Sequence, residues 1–250
     1  MSEARAEACL DLRFSVKEFK LMLSLAKSLP ARYFYIQARE GKTHYTTMNT
    51  QLTALLHLDL QHNAEAELPE PSGYLTPSEA LKALRKLKDG FITYRARLGK
   101  GGSLIYNGLP HYTEPERDDV EENTFIPRYS DCIHFKMGAE RLVKALSLIE
   151  DAVVVLSGGE GGVSVGPLEG KPFLLREAPT EAFVGYYDKG SLYGPLSHIA
   201  KLSKTALDVR VTERCVLIFE CAGFRKIAYH VAPHTVENRP RVFKGANLGP

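Results

Sequence analysis

Residues 139–170 read AERLVKALSLIEDAVVVLSGGEGGVSVGPLEG, and they show the clearest change from helical to extended patterning in the chain. Apolar residues recur at helical spacing up to Glu150, and a run rich in β-branched residues, Asp151–Ser157, follows. A glycine-rich turn at Gly158–Gly162 then leads into a second extended segment. The stretch therefore predicts a helix followed by a pair of antiparallel strands.

This unit occurs four times at intervals of roughly 60 residues, a spacing typical of repeat architectures. The predicted helices are Ser15–Leu29, Pro77–Lys88, Gly138–Glu150 and Gly190–Lys204, and the β-like runs that follow them are Arg32–Glu40, Gly90–Leu98, Asp151–Ser157 and Ala206–Glu213. Aromatic and β-branched residues fill these runs, and turn residues lie close to each of them. The repeat predicts an α+β protein with antiparallel sheets.

Composition indicates an ordinary globular protein of 250 residues, with 44% apolar residues, 25% charged residues and a net charge of +2. The N-terminal residues do not resemble a signal peptide, and no apolar run approaches the length of a transmembrane helix. The four cysteines lack zinc-site spacing, and His57 and His62 stand five apart on a predicted strand, which places them on opposite faces. We therefore expect an intracellular protein without metal, cofactor or membrane partner.

The opening stretch also contains Gly162–Gly166, which fits the G-x-S-x-G pattern of a hydrolase nucleophile. A nucleophile elbow places its serine between a strand and a helix that begins at once. Here Pro167 and Gly170 follow Ser164 and oppose a helix. A serine hydrolase is therefore the weakest of the functional hypotheses, and we expect Ser164 to be a hairpin residue in a protein that is not an enzyme.

Positive charge is concentrated on the predicted helices. Together they carry eleven Lys and Arg residues against four Asp and Glu, whereas residues 111–127 alone hold six acids and one arginine. The polar helix faces contain ten of these Lys and Arg residues and one histidine: Lys17, Lys20, Lys27, Lys82, Arg85, Lys86, Arg141, Lys144, His198, Lys201 and Lys204. Any single exposed helix shows such a face, but four of them favour a shared polyanionic partner that is bound through its phosphates.

Three stretches resemble the DNA sliding clamps of the proliferating-cell nuclear antigen (PCNA) family. Residues 139–170 resemble the family's helix and hairpin, IAYHVAPH at 227–234 resembles its closing signature, and FIPRYSDCIHF at 125–135 resembles the end of its interdomain connector. The sequence departs from the family at Asn49, where an acid is usual, at His230, and in the additional residues 235–250. These departures suit a diverged paralogue or one subunit of a heterotrimer.

The resemblance implies two tandem clamp domains, each a duplicated helix-plus-antiparallel-sheet repeat, with sheets outside and helices lining a ring channel. The implied boundaries are 1–110 for the first domain, 111–127 for the connector, 128–234 for the second domain and 235–250 for a tail. Three chains, identical or different, would encircle double-stranded DNA without sequence preference. The ten Lys and Arg residues and the histidine named above would then face the DNA. The ring would act as a processivity factor in DNA replication and repair, in the cytoplasm of an archaeon or the nucleus of a eukaryote.

The resemblance also implies contacts with proteins. Edge strands near Ser103–Leu109 and Pro172–Glu177 would join neighbouring subunits, through Leu104, Ile105, Tyr106, Phe173, Leu174 and Leu175. DNA polymerase, a clamp loader and other clients would insert short hydrophobic motifs into a pocket formed by Met48, Leu55, Phe125, Ile126, Pro127, Ala232 and Pro233. The alternative for Phe125 and Ile126 is simple packing of the connector. The acidic run Glu114–Glu122 would be solvated, and a checkpoint clamp that resembles the nine-one-one complex is the alternative function.

Overall fold

In the residues that the structure describes, the chain folds as two units, each containing two helices and mainly antiparallel strands. The computed structural model describes residues 9–29, 31–39, 42–51, 53–60, 72–97, 100–117, 129, 132–175, 179, 181–202, 206–221, 226–234 and 242–243. Unit 1 comprises Met1–Thr50 with Leu56–Phe125, and unit 2 comprises Gln51–Leu55 with Ile126–Pro250. None of the helices in these described ranges is long and apolar enough to cross a membrane.

Helix α1 (Val16–Ser28) begins after Ser15, whose hydroxyl accepts a hydrogen bond from the N–H of Glu18 at 3.2 Å. This N-cap satisfies one of the donors that every helix start leaves unpaired. The buried side chains recur three and four residues apart and form one apolar face: Val16, Phe19, Met22, Leu23, Leu25 and Ala26. The face agrees with the prediction from helical periodicity.

Helix α2 (Pro77–Leu84) packs against α1 and is shorter than predicted, since periodicity extended it to Lys88. Pro77 suits the first turn, where its missing N–H would have no helical partner. Beyond Leu84 the N–H of Leu87 bonds to the carbonyl of Leu84 at 3.0 Å, a three-residue spacing that ends the α-helix. The basic residues at 85, 86 and 88 therefore lie in the turns that follow α2.

The first sheet of unit 1 is antiparallel and has the order β1-β6-β8-β9. Its strands are β1 (Cys9–Ser15), β6 (Phe91–Arg97), β8 (Ser103–Tyr106) and β9 (Leu109–Thr113). Buried and exposed side chains alternate along β1 and β6, and this alternation fixes the register between the two strands. Leu12 opposes Tyr94 in the core, and Asp11 opposes Arg95 on the exposed side. Strand β9 lies at the edge, so β8, which contains Leu104, is an inner strand.

The second sheet of unit 1 has the strand order β4-β3-β2-β5-β7. Its strands are β2 (Phe34–Arg39), β3 (Lys42–Met48), β4 (Ala54–Leu60), β5 (Ser72–Leu75) and β7 (Lys100–Gly101). Phe34 and Tyr45 stack with ring centroids 5.7 Å apart, and Tyr45 also meets Phe14 edge-on at 6.0 Å. These rings form the core between the two sheets of unit 1.

Unit 2 repeats the arrangement with helices α3 (Ala139–Leu148) and α4 (Lys189–Leu202), which pack against each other. One sheet has the order β10-β15-β16-β17, and the other has the order β13-β12-β11-β14-β18. The strands are β10 (Cys132–Met137), β11 (Val153–Gly159), β12 (Gly162–Pro167), β13 (Phe173–Leu174), β14 (Phe183–Asp188), β15 (Leu207–Thr212), β16 (Leu217–Cys221), β17 (Lys226–Val231) and β18 (Val242–Phe243). Each helix precedes antiparallel strands, as the repeat predicted.

Helix α4 contains Pro195, which has no N–H to donate to the carbonyl of Ser191 one turn earlier. The hydroxyl of Tyr229, on β17, donates a hydrogen bond to that carbonyl. The N–H of Ser191 is also satisfied, because it donates to Asp188 Oδ2 at 2.6 Å. The buried tyrosine therefore replaces the helical bond that the proline removes, and the helix continues through Pro195.

Candidate functional site

The three lysines on the polar side of α1 differ in exposure and in their hydrogen-bond partners. Lys17 and Lys27 are exposed, whereas Lys20 is half-buried. The Lys20 ammonium donates hydrogen bonds to the carbonyls of Leu87 and, at 3.5 Å, Arg85, both in the turns after α2. A cation at carbonyl groups near a helix C-terminus is favourable, because these groups carry partial negative charge. The charge of Lys20 therefore joins α1 to the end of α2, and its assignment to DNA stays a prediction.

Two of the other predicted DNA contacts form exposed ion pairs. Lys17 Nζ lies 2.9 Å from Asp89, and Lys82 Nζ lies 2.8 Å from Glu79. The hydrogen bond and the negative charge of Asp89 raise the pKa of Lys17 above its ordinary value. Exposed pairs of this kind contribute little to stability and are screened by salt. Both ammonium groups can therefore exchange a carboxylate for a phosphate at small cost.

The remaining predicted cations differ in exposure. Five lysine and arginine residues of the helices and adjoining turns are exposed: Lys27, Arg85, Lys86, Lys144 and Lys201. Arg141 is also exposed, whereas His198 is half-buried and its Nδ1 lies 3.1 Å from the carbonyl of Gly194. Nδ1 of His198 therefore points back towards its own helix. Lys204 lies outside the described residues.

An open cavity of about 360 Å³ lies between α3 and β13 in unit 2. We call its surroundings the α3–β13 face, defined by these lining residues: Arg141, Lys144, Ala145, Leu148, Phe173, Leu174 and Leu175. Leu148 and Leu174 are each 60% exposed and Phe173 is 36% exposed. Large apolar side chains that are exposed together at a sheet edge mark a protein-binding surface.

Unit 1 has a comparable edge, which we call the α2–β9 face: helix α2, the turns at 85–88 and strand β9. Leu109 is 71% exposed at the start of β9. His111, also on β9, has its Nε2 2.7 Å from the carbonyl of Ala83, and this contact joins the strand to the helix. The α2–β9 face therefore combines an open strand edge with a neighbouring helix, as the α3–β13 face does.

The structure corrects part of the predicted subunit contact. Leu104 is fully buried in unit 1 on an inner strand, and Leu175 is 3% exposed, so neither side chain is free to project towards a neighbouring chain. Ile105 and Tyr106 are half-buried on the same inner strand. Phe173 and Leu174 do lie exposed on an edge strand, as expected. The error in unit 1 arose because hairpin spacing does not reveal which strand ends the sheet.

The residues predicted to bind client motifs are only partly described. Met48, in unit 1, is half-buried, and Leu55, assigned to unit 2, is 5% exposed. Ala232 and Pro233 are half-buried, and the N–H of Ala232 donates to the carbonyl of Thr53 at 2.7 Å. Phe125, Ile126 and Pro127 lie outside the described residues. The client pocket therefore stays a prediction.

Ser164 lies in the middle of β12, and its Oγ is 2.9 Å from Oγ of Ser157 on the paired strand β11. Gly159 opposes Gly162, so a two-residue turn joins the strands, shorter than the predicted five. Strand β12 pairs onward with β13, and no helix begins at the serine. The geometry of a nucleophile elbow is therefore absent at this position.

His57, which the sequence analysis considered as a metal ligand, is buried and stacks on His44 with ring centroids 5.5 Å apart.

Sequence patterns missed a buried hydrogen-bond cluster around the carboxylate of Glu114, a residue that is 2% exposed. Its Oε2 accepts the N–H of Thr76 at 2.7 Å and the hydroxyl of Tyr112 at 2.5 Å, and its Oε1 accepts the Thr76 hydroxyl at 2.8 Å. Thr76 is the N-cap of α2, so a carboxylate from another segment lies at the positive end of this helix. The expectation of a solvated acid is therefore wrong for Glu114, and residues 118–122 lie outside the described part of the chain.

The same cluster holds the segment that follows β9. Tyr74 donates its hydroxyl to the carbonyl of Pro115 at 3.1 Å and accepts the N–H of Arg117 at 3.0 Å. Burial, followed by the hydrogen bond and charge of Glu114, raises the pKa of Tyr112 well above its ordinary value. Burial is also the main cause of the raised pKa of Tyr94, with Glu114 second. Tyr94 and Tyr112 therefore stay protonated over the ordinary pH range, and Tyr112 keeps the proton that it donates to Glu114.

Solved structures identify the fold. Over 92% of its length the chain matches A. fulgidus PCNA, solved with the C-terminal region of FEN-1 bound, at a TM-score of 0.69 and 12% identity. It also matches PCNA from Entamoeba histolytica over 91% of its length, at a TM-score of 0.67 and 14% identity. The match to PCNA from Thermococcus kodakaraensis covers 90% of the chain, at a TM-score of 0.64 and 14% identity. Each match covers 100% of the PCNA chain. No protein-family model and no curated protein sequence matches.

The chain therefore has the sliding-clamp fold, and within that class its architecture is that of PCNA. The predicted α+β class with two tandem clamp domains is confirmed, as is the resemblance at the level of the fold. Identities of 12–14% do not carry over the roles of individual residues.

Proposed function

We propose that the chain is one subunit of a ring that encircles duplex DNA and tethers DNA polymerase and other replication or repair enzymes to it. The observation that carries this proposal is the clamp fold together with the exposed cations of its paired helices. Lys27 on α1, Lys144 on α3 and Lys201 on α4 project from exposed positions. Such lysines bind phosphates without reading bases, so the ring would move along the duplex.

The two open edges support assembly into a ring. The α2–β9 face lies on unit 1 and the α3–β13 face on unit 2, so β9 of one chain would pair with β13 of the next. Contacts between two different surfaces are head-to-tail, and they close into a ring when the rotation per subunit allows it. Pairing of both edges would also cover Leu109 and Leu174, which are otherwise exposed.

Retention on circular DNA tests the ring directly. The protein, with its ring partners and a clamp loader, is loaded onto a nicked circular plasmid and separated from free protein by gel filtration. We expect it to remain with the circle and to leave within minutes once the plasmid is cut, because a threaded ring slides off an end. Equal retention on circular and linear DNA would contradict the ring.

The role of the helix cations is tested by charge reversal. The variant Lys27→Glu/Lys86→Glu should load poorly and support less processive synthesis, since both positions are exposed on the helices or in the adjoining turns. The matched control is Lys136→Glu/Arg214→Glu, which changes the charge equally at exposed positions on a strand and a strand turn. A control that fails as severely as the test variant would refute the assignment of the helices to DNA.

A further inference from the structure

We propose that the start of strand β6 and the turn before it bind single-stranded nucleic acid, at a site separate from the duplex contacts of the proposed ring. The site, which we call the Phe91 platform, joins one exposed aromatic ring to a group of exposed cations: Phe91, Arg13, Lys17, Arg85, Lys86 and Lys88. Every residue of the platform belongs to unit 1, so the site does not require assembly with another chain.

The ring of Phe91 lies at the surface of the sheet. Phe91 opposes Ser15 on β1 and is 56% exposed. The guanidinium carbon of Arg13, the diagonal neighbour on β1, lies 4.4 Å from the centroid of the ring. The ring therefore contacts a flat cation while more than half of the residue remains open to a ligand. An unpaired base can stack on such a ring, because every base has a π face.

The turn before β6 brings positive charge close to this ring. The N–H of Val16, at the start of α1, donates to the carbonyl of Gly90 at 3.0 Å and holds the turn against the helix. Lys88 is exposed in this turn. It precedes Phe91 by three residues, so the two Cα atoms are at most about 11 Å apart. A strand that stacks a base on Phe91 therefore has a cation within reach for its phosphates.

Positive charge dominates this part of the surface. Residues 13–17 and 85–91 contain five exposed Lys and Arg residues and one acid, Asp89, whose carboxylate lies 2.9 Å from Lys17. On the same face of the sheet, Asp11 is paired with Arg95 at 2.7 Å. The nearby carboxylates therefore have cationic partners, and the excess of cations favours a polyanion.

The fold does not require this combination of residues. In unit 2 the turn after α3 accepts the ammonium of Lys189, just as the turn after α2 accepts the ammonium of Lys20. Residues 149–153 of that second turn contain two acids and neither a cation nor an aromatic residue. A turn that ends a helix and binds a lysine can therefore be acidic, so the cations at 85–88 are not explained by that structural role.

Two features favour a single strand over other polyanions. The bases of a duplex already stack on one another, whereas an unpaired base gains a contact by stacking on Phe91. The carboxylates of an acidic peptide would meet the cations but would gain nothing from the aromatic ring. The platform also lies towards the β1 edge of a sheet with the order β1-β6-β8-β9, so pairing of β9 with another chain would leave it uncovered.

The test measures binding of the purified full chain to labelled oligothymidylate by fluorescence anisotropy. We expect Phe91→Ala to weaken binding about tenfold, because it removes the surface on which one base stacks. Phe91→Tyr keeps an aromatic ring and should bind as the wild-type protein does. Phe91→Leu keeps apolar bulk alone and should bind as weakly as Phe91→Ala. An abasic oligonucleotide of the same length should bind all four proteins equally weakly.

A salt titration tests the cations. Lys88→Gln should reduce the slope of log K against log salt by up to about 0.7, the value for one phosphate contact on a single strand. The matched control is Lys136→Gln, which removes an exposed lysine on strand β10 of unit 2 and should leave the slope unchanged. A control that changes the slope as much as Lys88→Gln overturns the assignment of the phosphates to the platform.

Three further results would overturn the inference. The first is equal affinity of the wild-type protein and Phe91→Ala for oligothymidylate, and the second is equally tight binding of the abasic strand. The third is tighter binding of polyglutamate than of oligothymidylate, which would assign the surface to an acidic protein. Retention on circular duplex DNA should be unchanged in Phe91→Ala, so failure of the platform and failure of the ring are distinguishable.

Discussion

The carboxylate of Glu114 binds both the backbone N–H and the hydroxyl of Thr76, and thereby caps helix α2 from a segment 38 residues further along the chain. The cap joins three features: the start of α2, the end of β9 through Tyr112, and the segment that leaves unit 1. The α2–β9 face therefore depends on a buried ionisable side chain that contributes no exposed surface to it.

We expect Glu114→Ala to lower the free energy of unfolding by about 2–3 kcal/mol, because it leaves the Thr76 N–H and the Tyr112 hydroxyl without their acceptor. Glu114→Gln keeps one acceptor oxygen and should lose less. Urea unfolding measures both variants, and hydrogen exchange at the first turn of α2 reports whether the loss is local. Equal losses for Ala and Gln would show that the hydrogen bonds to Thr76 are not what stabilises the site.

Lys20 and Lys27 lie on the same helix, but substitution of Lys20 should affect stability and substitution of Lys27 should affect DNA binding. Lys20→Gln removes the cation at the end of α2 and should cost about 1 kcal/mol of stability with little change in DNA binding. Lys27→Gln should leave stability unchanged and reduce the salt dependence of DNA binding, by up to about 0.9 in the slope of log K against log salt. Thermal unfolding and a salt titration with duplex DNA separate the two effects, and exchanged outcomes would contradict the assignment.

Tyr229 and Pro195 should be energetically coupled through the carbonyl of Ser191. Tyr229→Phe removes that carbonyl's donor and should cost about 1–2 kcal/mol. In Tyr229→Phe/Pro195→Ala the alanine N–H can donate to the same carbonyl, so part of the loss should be recovered. A double-mutant cycle from urea unfolding measures the coupling. Strict additivity would mean that the tyrosine does not compensate for the proline.

Stability should fall at alkaline pH. Burial raises the pKa values of Tyr94 and Tyr229 in the folded protein, whereas in the unfolded chain they ionise near pH 10. Their contribution to stability is complete below pH 10 and is lost as the pH rises above it, by up to about 1.4 kcal/mol per pH unit for each group. Urea midpoints between pH 8 and about pH 11 measure the slope. Tyr94→Phe should make the fall in stability with pH shallower. An unchanged slope would show that ionisation of Tyr94 does not contribute to it.

Ser164 should be dispensable. Ser164→Ala removes one half-buried hydroxyl from a pair with Ser157 and should cost no more than about 1 kcal/mol. A fluorophosphonate probe should leave the wild-type protein unlabelled, with Ser157→Ala as the matched control for the stability measurement. Labelling that disappears in Ser164→Ala would revive the hydrolase hypothesis.

Local patterns predicted the elements well, and they failed where distant segments meet. The apolar faces of α1 and α3 could be found from spacing alone, because one helix buries one stripe of side chains. The same spacing put Lys20 on a polar face, since it contains no information about the carbonyls that end α2. Glu114 stands in an acidic run and looks solvated, and only the fold brings it to Thr76. The edge position of β9 was missed for a similar reason, because strand order is a property of the whole sheet.

The chain ties both of its helix pairs together with a lysine. In unit 1 the ammonium of Lys20 donates to Leu87, and in unit 2 the ammonium of Lys189 donates to the carbonyl of Ile149, directly after α3. A reagent that acylates amines would therefore divide the lysines into two populations, with Lys20 and Lys189 reacting slowly whether or not DNA is present. Acetylation at either position would loosen the packing between two helices, whereas acetylation at Lys27 would change only the charge offered to a polyanion.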